Sequence, residues 1–209
     1  MITMRSKSKM PPEIPRRRYS FDEYLILERG SSFSFKSELI EGLMRVMKIE
    51  SREHFVLTVN ILYGLRDRLE KKKFRTYGSY MRVAIPATGN CFYPDVTLVL
   101  GARKFRDSDR DTLLNPTLIA EVLSEKTKRY DKEFKLANYQ TLPSLKEILL
   151  ISEGRIRVEH YSRQGDEWVL KTYTGMKQTI SLLSVSRPLV MEEFYGTTDI
   201  WSKKGGYAQ

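Results

Sequence analysis

The chain has 209 residues, 41% of them hydrophobic, enough for one domain with its own core and no need of a disulfide or structural metal. Its one cysteine, Cys91, excludes an internal disulfide and any cysteine-based zinc finger, and points to a reducing, cytoplasmic setting. The net charge of +10 suggests a polyanionic partner, but half of it lies in residues 1–18, where Arg5, Lys7, Lys9, Arg16, Arg17 and Arg18 stand against Glu13; a solvated basic leader is the blander account. That leader is rich in Pro and charge, lacks an apolar h-region and should be disordered. No apolar run reaches the ~18 residues of a membrane helix, so neither export nor membrane insertion is expected.

Order is expected from Ser20, where Ser20 and Glu23 form a capping box before a short helix through Arg29. Residues 37–49 interleave apolar and polar positions around a glycine and predict a strand or bent hairpin. Phe55, Val59, Leu62, Leu65 and Leu69 recur three or four apart, predicting an amphipathic helix over residues 53–71 with a basic end. Strand-like segments follow at 77–85, 93–100 and 118–123, then a helix over 129–142 closed by Pro143. Residues 146–152, 157–162 and 168–173 read as strands joined by turns at Glu153-Gly154 and Gln164-Gly165. An apolar stretch near 181–194 completes one domain, residues 19–195, and 196–209 should form a flexible tail.

Two acids stand out. Asp95 opens the run VTLVL and Glu121 sits inside TLIAEVL, each among apolar neighbours. An unpaired carboxylate there costs several kcal/mol, so each must be protonated, salt-bridged or bound to a cation. Together at adjacent strand ends they would make a hard-oxygen site suited to Mg2+ or Mn2+; separately, each pairs with one of the many Arg and Lys. Asp131 and Lys135 share a face of the predicted helix, either as a routine i,i+4 pair or with Lys135 turned inward to the acids. Basic stretches at 66–75 and 103–110 could track a phosphate backbone or simply be solvated.

The succession SELIEG, a helix containing His54, YPDVTLV, NPTLIAEVLS, YDKEFKLANY, SLKEILLI and IRVEHYS resembles the Uma-type restriction endonuclease family of the PD-(D/E)XK nuclease superfamily. The order and spacing carry the resemblance, above all EVLS followed by D-x-x-x-K-x-x-x-Y. It implies an α/β (α+β) domain: a restriction-endonuclease-like mixed central β-sheet flanked by helices. It implies metal ligation by Asp95, Glu121 and the main-chain carbonyl of Val122, with Glu38 of SELIEG as a further catalytic acid. Glu41 stands where an aspartate is more usual. The superfamily's usual lysine position holds Leu123, and the resemblance assigns that role to Lys135. His54 becomes a contact to phosphate or to the metal ligands, with Asp131 in a similar supporting place; otherwise His54 caps or packs its helix. His160 is read as structural and Cys91 as inert packing.

The implied activity is Mg2+- or Mn2+-dependent cleavage of DNA leaving 5′-phosphate and 3′-hydroxyl ends, with a homodimer supplying two scissions to a duplex. The alternative is a catalytically inactive nucleic-acid-binding module on the same fold.

Overall fold

The structure, a computed structural model, describes residues 15–30, 36–69 and 73–202. Residues 1–14 of the expected leader, Lys71 at the end of the second predicted helix, and residues 203–209 lie outside the described residues. Helix α1 (Phe21–Gly30) leads into strands β1 (Ser37–Ile40) and β2 (Leu43–Val46), then helix α2 (Arg52–Asp67). Strands β3 (Phe74–Gly78), β4 (Arg82–Ile85), β5 (Asn90–Phe92), β6 (Val96–Leu100), β7 (Thr112–Leu113) and β8 (Leu118–Leu123) follow. A π-helical segment (Tyr130–Lys135) runs directly into α3 (Leu136–Gln140). Strands β9 (Glu147–Ser152), β10 (Val158–Gln164), β11 (Glu167–Tyr173), β12 (Thr179–Ile180) and β13 (Leu189–Val190) precede α4 (Met191–Tyr195) and α5 (Asp199–Ser202). Among the described residues no helix is long and apolar enough to cross a membrane.

The mixed sheet expected is the six-stranded one, ordered β11-β10-β9-β8-β6-β3, in which only β8 and β9 run parallel. A second sheet, not foreseen, is ordered β2-β1-β5-β4-β7. It arises because residues 77–85, expected as one strand, are two: the chain turns at Gly78–Met81, with the Met81 N–H bonded to the Gly78 carbonyl at 3.1 Å, and β3 and β4 join different sheets. Strand β5 also escaped notice, since Asn90, Cys91 and Phe92 lack an alternating pattern.

Period-two alternation assigns the faces of the large sheet. Leu118, Ala120 and Val122 of β8 join Val96, Leu98, Leu149 and Ile151 against Leu57, Ile61 and Leu65 of α2 and Phe194 of α4. Ile119 and Leu123 point the other way, into a core with Leu136 and Tyr139 of α3 and with Val83, Ile85 and Phe92 of the second sheet. Each fully buried Leu or Ile contributes roughly 1.5–3 kcal/mol. Tyr24 and Leu25 of α1 cover the outer face of the second sheet through Leu39 and Cys91. Glu121 lies between Ile119 and Leu123 in register, so its side chain enters the space between the sheets.

The β1–β2 hairpin turns on Glu41 and Gly42, at φ 50° and 82°, the two positive values that a two-residue turn of this hand requires. Gly42 meets its value freely and sits against Arg18, whose Cβ would be 3.3 Å from an added Cβ. Within the stretch expected to fray, α5 forms, and its Asp199 N–H is bonded to Glu53 at 3.0 Å.

The described residues of both basic stretches lie away from the strand end that carries Asp95. Phe74 pairs with Leu100 at the far end of β6, so Arg75 and the loop after Leu100 are about five residues, or ~17 Å, from Asp95. Arg68 is clamped on Glu193 and Arg106 on Asp22. These contacts fit structural use and solvation better than a phosphate track.

Candidate active site

Each acid reaches the site for a local reason. Pro94 ends the pairing before β6, so Asp95 stands at a strand mouth where its carboxylate can turn across to β8. There Asp95 Oδ2 accepts the Val122 N–H at 2.8 Å, and Glu121 Oε2 accepts the Asp95 N–H at 3.4 Å. The two acids are thus laced to each other's strands. Main-chain N–H and C=O of one strand residue point to the same side, which places the Val122 carbonyl toward the same mouth.

Ser51 caps α2 by accepting the His54 N–H at 3.0 Å. This sets His54 in the first turn, where Nε2 donates to Asp95 Oδ1 at 2.8 Å and Nδ1 lies 3.5 Å from Glu50 Oε2. Burial pulls the imidazole pKa down, but the hydrogen bond and charge of Asp95 outweigh it and leave it raised.

The helix expected over 129–142 is a π-helical segment followed by α3, with the Leu136 N–H bonded to the Asp131 carbonyl. A π-helical turn carries an extra residue and commonly marks a functional position. Here Asp131 and Lys135 both face inward and both are buried. Lys135 Nζ lies 2.9 Å from Glu38 Oε1, 3.2 Å from Glu121 Oε1 and 3.6 Å from Asp131 Oδ1. Asp131 and Lys135 keep their i,i+4 contact, and Lys135 is at the same time turned inward to the acids. Glu38 also accepts the Tyr93 N–H and the Tyr130 hydroxyl, each at 3.3 Å.

Burial pushes the Glu121 carboxyl well above the usual carboxylate range; Lys135 opposes this and Asp95 adds to it. Asp131 is raised for the same first reason. Burial pulls the Lys135 pKa down, but the charges of Glu121, Glu38 and Asp131 outweigh it and leave it raised. Glu38, Asp95, Glu121 and Asp131 thus share one pocket with Lys135 and His54, and Lys36 lies close enough to feel the charge of Asp95 and Glu38. The pocket measures about 110 Å3 and opens past Arg45, Lys48 and Lys126, all exposed.

Among the described residues no three His, Cys, Asp or Glu side chains converge to enclose a metal by themselves. The donors instead suit a hard divalent cation held by one or two carboxylates, with water and phosphate oxygens completing the shell. Asp95, Glu121 and the Val122 carbonyl fit that description, and the electrostatic demand at Glu121 points the same way.

Tyr139 was not foreseen as a site residue. Its hydroxyl donates to Glu121 Oε1 at 2.6 Å, and its only sequence signal is a place four residues after Lys135. Tyr130 and Glu50 were likewise unassigned. His160 donates to fully buried Glu147 at 3.0 Å, and Glu147 also accepts the N–H groups of Leu183 and Ser184, a fastening remote from the acids. Cys91 is buried, which pushes its thiol up to about 12 and leaves it inert.

Fold and site together define a restriction-endonuclease-like domain. A crystal structure described as "a putative nuclease belonging to DUF820" from Anabaena variabilis superposes with a TM-score of 0.68 at 16% identity, covering 85% of this chain and 97% of that one. The chain belongs to the Uma2 family, described as "Putative restriction endonuclease", whose model matches residues 21–190. It is 37% identical over 150 residues to the uncharacterized protein sll1609 of Synechocystis sp. (strain ATCC 27184 / PCC 6803 / Kazusa), covering 71% of this chain and 85% of that protein. With slr1290 of the same organism it shares 26% over 185 residues, covering 88% and 95%.

Proposed function

We propose that this protein is a metal-dependent endonuclease that hydrolyses phosphodiester bonds in DNA. One observation carries the reading: Lys135 and the carboxyl groups of Glu38, Asp95, Glu121 and Asp131 are gathered in a small pocket with a cationic rim. A buried ion cluster of this kind is weak as a stabilising device, because desolvation offsets most of the attraction. Chemistry on a charged substrate accounts for gathering these groups in one pocket.

Asp95 and Glu121 present oxygens to one side of the pocket, and the Val122 carbonyl joins them. A divalent cation bound there supplies Lewis-acid polarisation of the phosphate and a more acidic water. His54 holds Asp95 in orientation through its 2.8 Å hydrogen bond. Lys135 brings a fixed positive charge beside the attacked phosphate, with Glu38 and Asp131 holding the amine in place. Arg45, Lys48 and Lys126 receive the flanking phosphates.

Leu123, at the usual lysine position, and the full engagement of Lys135 by acids favour a second reading, a nucleic-acid-binding module without catalysis. Purified protein and its Asp95→Ala variant, incubated with supercoiled, linear and single-stranded DNA in Mg2+ or Mn2+, separate the two. Cleavage by the wild type alone supports the nuclease. Salt-sensitive binding without cleavage by either protein supports the module.

A further inference from the structure

Beside the acidic pocket runs a second, larger groove of about 570 Å3, lined by Pro15, Arg16, Arg17, the β1–β2 hairpin, Tyr130 and Phe134. The hairpin connects the two. Glu38 pairs with Arg45 and Ile40 with Leu43 across the strands, and cross-strand partners share a face. One face of the hairpin thus presents Glu38 and Arg45 to the acids and, one pair further on, Ile40 and Leu43 to the groove. Arg45 and Tyr130 line both spaces.

The groove's chemistry is that of a flat, anionic ligand. Its floor is apolar, and Leu43 is 47% exposed there. The Tyr130 ring is stacked on Phe134 at 5.5 Å and 18° and has the Arg45 guanidinium 4.5 Å from its centre, so the exposed Arg45 guanidinium is the flat group that this stack leaves to the groove. Arg16 and Arg45 stand against the one acid of the lining, Glu41, while Arg17 is paired with Glu23 and lies over the Tyr19 ring. An exposed guanidinium plane over an apolar floor holds a base by its face, while a neighbouring arginine takes a phosphate.

We infer that this groove binds an unpaired nucleotide of the substrate strand next to the scissile phosphate, so that the substrate is DNA with single-stranded character at the cut. A duplex keeps its base faces stacked inside and offers none to the groove. The inference rests on the nuclease reading for the neighbouring pocket and adds to it the substrate form.

The test uses the full chain with metal chelated and salt held constant. Binding is measured to a fluorescent single strand, to its blunt duplex, and to an abasic strand of equal length. The single strand should bind about tenfold more tightly than either of the others, and a 2-aminopurine base placed in it should be quenched on binding. Leu43→Glu should abolish both the preference and the quench, and the milder Leu43→Ser should reduce them, each with unchanged thermal melting. Equal affinity for all three ligands overturns the inference, as it would if another part of the chain or a second copy covered the groove. So does a quench that survives Leu43→Glu. If duplex cleavage in Mg2+ persists while the strand preference is absent, only the groove fails. If the preference is present but no strand is cut, only the nuclease reading fails.

Discussion

The ammonium of Lys135 lies 2.9 Å from Glu38, joining the π-helical turn that follows β8 of one sheet to β1 of the other. Both side chains are buried, and Glu121 and Asp131 close around the same nitrogen. That contact ties the two sheets together at the place where the acids meet.

Lys135→Met should therefore act on both stability and chemistry. It strands Glu38, Glu121 and Asp131 without their shared cation, and breaking a buried charge cluster costs about 3–5 kcal/mol. Metal-dependent cleavage should fall to background. Denaturant melts and a plasmid-nicking assay check this; a stable, active Lys135→Met protein would remove Lys135 from the proposed machinery.

His54→Ala removes the donor that orients Asp95. Supporting hydrogen bonds of this kind change metal affinity about 10–100-fold. Titrating Mg2+ or Mn2+ against cleavage rate should show the apparent affinity falling with little change in the maximal rate. An unchanged metal dependence would assign His54 to packing.

Tyr139→Phe deletes only the hydroxyl that donates to Glu121. Losing a hydrogen bond to a charged group costs about 1.5–3 kcal/mol, so a lower melting temperature and a slower cut are expected with the fold intact. Circular dichroism and single-turnover cleavage measure the two effects. No change in either would show that Lys135 alone suffices to hold Glu121.

Away from the site, Asp111 gives a pH signature. It accepts from Arg29 at 2.7 and 2.9 Å and is paired with buried Arg82. Burial favours the neutral acid, but the two guanidinium groups outweigh it and hold the carboxyl below the usual range. The folded state thus binds its proton less readily than the unfolded chain. The stabilisation is present above the ordinary aspartate pKa, about 4, and is lost as pH falls below it. Asp111→Asn should lower neutral-pH stability by about 2 kcal/mol and flatten the acid limb of a stability–pH curve. An unchanged acid limb would contradict the assignment.

Much of this molecule was legible without coordinates wherever the pattern is local. The helix carrying His54 shows its period in Leu62, Leu65 and their neighbours, and strand β8 shows its length and burial in an apolar run. The misplaced acids Asp95 and Glu121 marked the site, because a carboxylate among apolar residues needs a partner from elsewhere. Other features depend on contacts that no spacing encodes. The break of residues 77–85 into two sheets depends on where each half finds a pairing partner. The π-helical turn at Tyr130–Lys135 depends on Asp131 and Lys135 both finding charged partners inside. Tyr139 closes the D-x-x-x-K-x-x-x-Y spacing, but its role appears only where its hydroxyl meets Glu121. The sequence by itself determined the elements, their faces and the two acids that could not stand alone, since local propensity and burial act along the chain. The resemblance already assigned Glu38 and Lys135 to the site; only the tertiary structure decided that one amine serves Glu38, Glu121 and Asp131 together and that Tyr139 joins them, because electrostatic pairing between distant segments follows distance in space.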